Sequence, residues 1–376
     1  MTSDISFLQL TAQYPDEASA VSYFTAKRWP DGIACIGCQS RSVYDCKSKR
    51  HLPLYKCPDC RKQFTVTSGT VMNNTHLPLR AWLFAFHIIG GAKKGISARQ
   101  LARHLGITVK SAWHLAHRIR ATMTDNAQKF SGIVETDEAY IGGKRKFHGK
   151  GYRGNKVAVQ TIIKRGKRTT RADGNQARST YSQAQTIVLN PTDHVDGRTV
   201  GAKLRTHTEP GKTVLMTDDS PIYTKTGEGF VDHHTVNHKK KEYFRQADDG
   251  HLAHTNTAEG YFGNFKRQID GTHHHVSKKH AQRYAEEHDH KYNNRSKSDT
   301  EIAENAIAKL GTTKPLTLYK SASGQGESLI ETKQGERRKH GTMRGMSDHV
   351  RTGKKRESTN VSSPAITELA GIRSKE

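Results

Sequence analysis

The sequence predicts a mixed α/β protein with three consecutive parts: a zinc ribbon, a helix-turn-helix, and a mixed β-sheet flanked by helices. Three observations carry this prediction. Two Cys-x-x-Cys pairs lie near the N-terminus, two helical segments joined by a glycine follow, and apolar strands then alternate with helical patterns. The three domains are expected at residues 15–70, 75–125 and 130–310, before a flexible basic tail at 320–376.

Composition points to a polyanionic partner. The 376 residues carry a formal net charge of +25, with a pI of about 9.8 and a mean hydropathy of −0.79. So large a basic excess favours nucleic acid over a surface that is merely basic and soluble. No apolar run approaches the roughly 18 residues of a membrane span, and no signal peptide opens the chain. We therefore expect no membrane partner and a cytoplasmic, nucleoid-associated protein.

The N-terminal part contains a metal-ligand pattern. All five cysteines precede residue 61, and four of them form two Cys-x-x-Cys pairs with zinc-ribbon spacing: Cys35, Cys38, Cys57 and Cys60. We predict that these four bind Zn²⁺, whereas Cys46 is an ordinary small residue. The redox interpretation of such pairs requires a βαβ context that is absent here. A short helix at 16–28 is expected to pack against the ribbon.

The next segment has the pattern of a helix-turn-helix. An apolar helix at 79–89 is expected to break at Gly90 and Gly91. Ser97 then caps a second helix, Gly106 supplies a left-handed turn, and Thr108 caps a third helix. The short turn and the basic third helix favour DNA binding over an ordinary helical hairpin. The DNA-facing side chains are predicted to be Lys110, Ser111, His114 and Arg118, with Arg120 also exposed.

The remaining pattern is typical of a mixed sheet. Strands are predicted at 133–143, 156–164, 186–189, 213–218 and 235–238, with a helix at 200–207 and a polar surface loop at 169–183.

Three acids in this region form a candidate metal site. Asp137 and Asp218 lie in apolar strands, where an acid without a partner is costly. Glu259 opens a helix on which Lys266 follows two turns later, on nearly the same side. Such acids can hold a pair of Mg²⁺ (or Mn²⁺) ions for phosphodiester chemistry. The alternatives are solvated acids at strand ends and, for Glu259, a capping-box pairing with Asn256.

Several motifs resemble those of insertion-sequence transposases. They are VETDEAYIGGK at 134–144, TDD at 217–219, HTNTAEGYF at 254–262 and the basic segment from Lys266 to His280. In this order, and behind a zinc ribbon, they are similar to the DDE group with an ISXO2-like catalytic domain. The resemblance covers roughly residues 15–300.

This resemblance implies an RNase H-like fold and metal-dependent DNA cleavage and strand transfer. Asp137, Asp218 and Glu259 would be the metal-binding triad, and Lys266 the basic residue that follows it. The third acid varies within the group, so Asn256 remains an alternative to Glu259. Asp219 is the less favoured neighbour of Asp218, because adjacent strand residues point to opposite faces. The implied partner is double-stranded DNA, both element ends and target, and pairing two ends implies a homodimer or larger assembly.

Histidines are abundant in the same region. Consecutive histidines do not readily converge on one ion, so His273–His275 are expected to face phosphates or to be structural. The same expectation applies to His233, His234 and His238. His273 and Gly263 depart from the residues more usual in the family.

Three functions are compatible with these features. The first is an active transposase. The second is a DNA-binding regulator that uses the ribbon and helix-turn-helix and carries an inactive catalytic domain. The third is a metal-dependent nuclease without strand transfer, which differs only in using water rather than a 3′-hydroxyl as nucleophile. Acids placed within apolar strands weigh against the regulator.

Overall fold

The computed structural model describes residues 4–46, 52–124, 129–142, 156–170, 176–178, 180–189 and 195–316, with only the backbone for 168–170 and 176–178. These residues belong to one compact unit. The tail predicted at 320–376 lies outside them. No helix in this part of the chain is long and apolar enough to cross a bilayer.

The described chain contains the following α-helices: α1 (Phe7–Gln13), α2 (Glu17–Arg28), α3 (Leu79–Gly91), α4 (Ala98–Leu105), α5 (Val109–Thr122), α6 (Gly197–His207), α7 (Asn256–Arg267), α8 (Ala281–Asn293) and α9 (Asp299–Ala308). Its strands are β1 (Tyr44–Asp45), β2 (Tyr55–Lys56), β3 (Gln63–Phe64), β4 (Phe130–Ile141), β5 (Val157–Lys164), β6 (Arg168–Thr170), β7 (Gln176–Arg178), β8 (Gln183–Val188), β9 (Thr208–Asp218), β10 (Asp232–Val236), β11 (Arg245–Gln246) and β12 (Leu252–Ala253).

The N-terminal ribbon is a small antiparallel sheet in the order β1-β2-β3. Its apolar contacts come mainly from Trp29, Tyr55 and Phe64, whose rings lie about 6 Å apart. The preceding helix α2 was expected to pack against the ribbon. Its buried face packs in one core cluster with α3 and with Leu52 and Val66, and its C-terminal part reaches the ribbon through Thr25, Arg28 and Trp29.

The helix-turn-helix forms as predicted. The Ser97 hydroxyl accepts from the backbone N–H of Gln100 at 3.2 Å, and the Thr108 hydroxyl caps α5 in the same way. Gly106 between them has φ 63°, the left-handed conformation that ends α4.

The predicted break of α3 at Gly90 is wrong. The helix runs through Gly91, and α9 crosses it so closely that a Cβ on Gly90 would lie 3.1 Å from the Ala303 side chain and backbone. Gly90 therefore permits a close helix–helix approach.

The central sheet has five strands in the order β10-β9-β4-β5-β8. The pairs β4–β5 and β5–β8 are antiparallel, whereas β4–β9 and β9–β10 are parallel. The predicted mixed sheet flanked by helices is thus confirmed. Its strand ends differ from prediction by one to three residues at β4, β8 and β10, and β9 begins five residues earlier than predicted. The segment predicted as a loop at 169–183 includes parts of β6 and β8 and all of β7.

Helices cover both faces of this sheet. Ala139 and Ile141 of β4 pack with Phe262 and Phe265 of α7, and α8 completes that layer. On the other face, Val134 packs with Leu204 of α6 and with neighbouring strands. Strand alternation therefore places Asp137 on the α7 face.

A buried ion cluster joins the helix-turn-helix to α8, which packs on the central sheet. Arg120 of α5 was predicted to be exposed, but it is 2% exposed, and its Nε lies 2.6 Å from Oε2 of Glu287 in α8. Lys291 lies 2.5 Å from the other oxygen of Glu287 and donates to the carbonyl of Ala92. Burial alone would raise the pKa of Glu287, but Lys291 and Arg120 hold it well below its usual value. Arg120 is therefore structural.

Candidate active site

Asp137 and Asp218 lie level with each other on neighbouring strands. The last residues paired between β4 and β9 are Glu135 and Met216, and continuing this parallel register by two residues brings Asp137 opposite Asp218. Paired residues on adjacent strands point to the same face, and the strands lie about 4.8 Å apart. Both carboxylates are therefore presented on the face that α7 covers, with Asp137 inside β4 and Asp218 at the end of β9.

The surroundings of Asp137 make its ionised form costly. Burial raises the pKa of Asp137 to about 6, and the negative charges of Asp218 and Glu259 act in the same direction. The N–H of Glu138, which donates to Asp137 Oδ1 at 2.8 Å, and the charge of Lys266 oppose this shift. The three predicted acids and the predicted lysine therefore share one electrostatic environment, where a cation would relieve their repulsion.

Asp218 contributes an oxygen that the protein does not satisfy. Its Oδ1 is buried and has no hydrogen-bond partner within the described part of the chain. Burial raises the pKa of Asp218, and the nearby charge of Lys239 opposes this rise without cancelling it. An orphaned carboxylate oxygen beside a second acid fits a metal ligand.

Glu259 lies on the first turn of α7 with a half-exposed side chain. The capping-box alternative is wrong: the helix is preceded by Thr255, and neither Thr255 nor Asn256 caps it through a side chain. Glu259 Oε1 instead lies 3.4 Å from Nε2 of His238. Its carboxylate is therefore available to the site, while Asn256 beside it is exposed.

The true cap of α7 is Glu135, which the sequence analysis did not identify. Its fully buried carboxylate accepts from the N–H groups of Thr257 and Ala258 at 2.9 and 3.0 Å. Arg165 pairs with it at 2.5 Å, and His254 Nδ1 lies 3.3 Å away. An anion at a helix N-terminus stabilises the helix dipole. Glu135 thereby fixes α7, and so Glu259, against the strand that carries Asp137.

Lys266 is exposed on α7, and its Nζ lies 5.9 Å from the ring centroid of Phe262. The charge of Lys266 opposes the rise in the pKa of Asp137, so the ammonium group is close enough to interact with the acids. A lysine here supplies positive charge to a phosphate lying across the acids.

The three acids form an open set. They are not among the groups of described residues whose ligand atoms all lie within 4.8 Å of one another. Two ions about 4 Å apart are held by ligand atoms that lie farther from one another than the ligands of a single ion do. All-oxygen donors of this kind suit Mg²⁺ or Mn²⁺.

The four predicted zinc ligands converge. The Sγ atoms of Cys35, Cys38, Cys57 and Cys60 all lie within 4.8 Å of one another, with Cys35–Cys60 at 3.4 Å and Cys38–Cys57 at 3.6 Å. Zn–S bonds of about 2.3 Å in a tetrahedron place sulfurs roughly 3.8 Å apart, so the cluster fits one zinc ion. Cys46 does not belong to it.

The predicted DNA-facing residues of α5 differ in their surroundings. Lys110 is exposed, and Ser111 and His114 are partly exposed. Arg118 is held within the protein: its guanidinium donates to the carbonyl of Asn73 and lies 5.8 Å from the Trp82 ring centroid.

The histidines also divide by environment. His273 packs against Tyr284 with ring centroids 4.6 Å apart, and burial lowers its pKa to about 4, which supports the structural interpretation. His234 lies between Asp249 at 2.8 Å and Asp232 at 3.5 Å. These three are close enough to hold a metal ion, but they also form an ordinary ion-paired contact that ties β10 to the β11–β12 hairpin.

Comparison with known proteins identifies two matching family models. A transposase zinc-ribbon domain matches residues 15–63, and an ISXO2-like transposase domain of the IS1595 type matches residues 129–293. Together they span more than half of the chain. A curated relative from Halobacterium salinarum, described as an uncharacterized protein in transposable element ISH50, is 27% identical over 128 residues. That match covers 34% of this chain and 43% of the relative, so the chain spans well under half of it.

Proposed function

The chain belongs to the IS1595 family of transposases, and from this we propose that it binds the ends of a DNA element and catalyses metal-dependent strand cleavage and strand transfer. The observation that carries the proposal is the level placement of Asp137 and Asp218 on adjacent strands, with Glu259 and Lys266 in the same electrostatic environment.

In this proposal, Asp137, Asp218 and Glu259 hold two Mg²⁺ (or Mn²⁺) ions. Such ions activate the attacking oxygen and stabilise the leaving oxygen of a phosphodiester. Lys266 orients the phosphate. Glu135 positions the start of α7, so that Glu259 faces the two aspartates.

DNA recognition in this proposal comes from the N-terminal half. The ribbon and the exposed side of α5, including Lys110 and His114, contact phosphates and base edges of the element ends. Because two ends are joined to one target, we propose that a homodimer or larger assembly acts in the nucleoid of the cytoplasm.

The regulator and the simple nuclease remain the competing functions. A regulator gives no reason for a buried, unsatisfied oxygen on Asp218 beside a second acid with a raised pKa. The nuclease uses the same site, so only the products separate it from a transposase.

Cleavage of a labelled element end in Mg²⁺ tests the site directly. Asp137→Asn is expected to lower the cleavage rate at least about a hundredfold, because it removes a carboxylate worth several kcal/mol of charge stabilisation, and to leave end binding unchanged.

Asp219→Asn is the matched control. The Asp219 carboxylate accepts from Asn237 Nδ2 at 2.7 Å instead of facing Asp137, so this variant should cleave within a fewfold of wild type. Equal activity of the Asp137 variant and wild type would refute the assignment.

A further inference from the structure

The segment His238–Gln246 presents aromatic and basic side chains together at the surface. Tyr243 and Phe244 are 55% and 66% exposed, the latter among the most exposed large apolar side chains in the described chain. Four cations share the segment with them: Lys239, Lys240, Lys241 and Arg245. Glu242 is its one acid; it accepts from the N–H of Asn237 and lies 3.4 Å from Arg245.

This segment borders the three acids. His238 Nε2 lies 3.1 Å from the Thr255 hydroxyl and 3.4 Å from Glu259 Oε1, and its ring packs on Tyr243 with centroids 5.8 Å apart. Tyr243 is therefore separated from a predicted metal ligand by one imidazole ring.

Hydrogen bonds hold the segment in place at both ends. On the N-terminal side, Asn237 donates to the Asp219 carboxylate. On the C-terminal side, Arg245 donates to the carbonyl of Thr235, and His234 ties the following hairpin to β10 through Asp249. Because hydrogen bonds already order this segment, its two exposed aromatic rings lose little conformational entropy when they bind a ligand.

We propose that residues 238–246 bind unpaired DNA beside the phosphate that is cut, with Tyr243 and Phe244 stacking on bases and Lys239–Lys241 neutralising the flanking phosphates. The inference rests on the proposed function, which brings a scissile phosphate to the neighbouring acids. Aromatic rings interleaved with lysines are the usual surface for single-stranded nucleic acid, because every base has a face on which a ring can stack. The basic charge favours DNA over a protein partner.

The test uses the full-length protein and a 2-aminopurine base placed in unpaired DNA next to the cleavage position, without divalent metal. Stacking is worth about 5- to 150-fold in affinity per base. We expect the Tyr243→Ala/Phe244→Ala double variant to bind this DNA at least tenfold more weakly than wild type and to lose the 2-aminopurine fluorescence change. The ring-preserving Tyr243→Phe/Phe244→Tyr variant should behave as wild type.

Two controls separate stacking from other effects. Leu8→Ala removes a side chain that is 81% exposed on α1, and it should leave binding unchanged. Wild type and the alanine double variant should bind fully paired DNA of the same sequence with affinities that differ by less than about twofold.

Equal affinity and fluorescence for wild type and the alanine double variant would overturn the inference, as would an equal loss on paired DNA. An effect confined to oligomeric state would also overturn it, because the surface would then contact protein. Since binding is measured without metal, a wild type that fails to cleave DNA would refute the proposed function and leave this result standing.

Discussion

Three acids within four residues of β4 have three different roles, and the direction of each side chain decides the role. Glu135 and Asp137 point to the α7 face, where Glu135 caps the helix and Asp137 faces Asp218. Glu138 points to the opposite face and accepts from the hydroxyl of Tyr223. Burial raises the pKa of Glu138 to about 8, so it carries a proton at neutral pH.

Glu135 and Glu138, on either side of Asp137, are predicted to affect stability differently when each is replaced by glutamine. Glu135→Gln removes the charge that pairs with Arg165 and caps α7, and it should lower the free energy of unfolding by about 3 kcal/mol or more. Glu138→Gln replaces a carboxyl that is already neutral, so it should change stability by less than about 1 kcal/mol. Urea unfolding of both variants at pH 7 measures the difference, and equal losses would contradict these roles.

The sequence indicates candidate site residues more readily than the residues that hold them in place. Asp137, Asp218 and the four cysteines are recognisable because local pattern and spacing mark them. The role of Glu135 was missed because its partners at Thr257 and Ala258 are more than 120 residues away. The only local sign of this role was that Glu135 is a second acid, beside Asp137, on the same face of an apolar strand.

At the scale of elements, α5 combines an exposed basic side, which we propose faces DNA, with a side that belongs to the protein core. The pattern of basic residues did not distinguish the two sides, because the partners of Arg120 and Arg118 come from distant segments. The caps of α4 and α5 were predicted correctly because Ser97 and Thr108 bond to residues only three positions away.

This division of α5 predicts different consequences for two basic residues. Lys110→Ala should weaken DNA binding and lower the salt dependence of log K by about one unit, with unfolding unchanged. Arg118→Ala should destabilise the protein by about 1 kcal/mol, because it removes the donor to the partly buried carbonyl of Asn73. Salt-titrated binding and thermal unfolding of both variants test this, and a stable Arg118→Ala protein that binds DNA as weakly as Lys110→Ala would contradict it.

The packing of α5 against α8 also predicts acid sensitivity. Burial lowers the pKa of His273 to about 4 and that of His288 to about 4, with Arg120 acting on the first and Lys291 on both. Glu287 opposes both shifts. The unfolded chain takes up these protons near pH 6.5 and the folded protein does not, so stability falls between pH 6.5 and about 4.

We expect a loss of the order of 1 kcal/mol per histidine between pH 7 and pH 5. His273→Phe keeps a ring against Tyr284 and should reduce that loss. Thermal unfolding at the two pH values measures it, and an identical pH dependence in the variant would show that His273 is not responsible.

At the scale of the whole molecule, the described residues place the ribbon, the helix-turn-helix and the three candidate acids in one compact unit. The Arg120–Glu287–Lys291 cluster joins the helix-turn-helix to α8, and α9 packs directly against α3. The domain boundaries predicted from sequence stay predictions. Packing between α9 and α3 was not predicted, because it joins segments about 200 residues apart.

In the proposed function, the net charge of +25 and the acidic site act on the same substrate, DNA. Basic surfaces attract the phosphate backbone, and the local excess of acid at Asp137 and Asp218 needs divalent ions before a phosphate can approach. The account therefore requires DNA and metal together for activity.

The most direct test of the central claim is strand transfer in vitro. Purified protein is incubated with Mg²⁺, the DNA ends that flank its own gene, and a plasmid target, beside the Asp137→Asn and Glu259→Gln variants. The account predicts joined end–plasmid products from the wild type and none from either variant. Tight end binding with no metal-dependent product, or cleaved ends that are never joined, would contradict it.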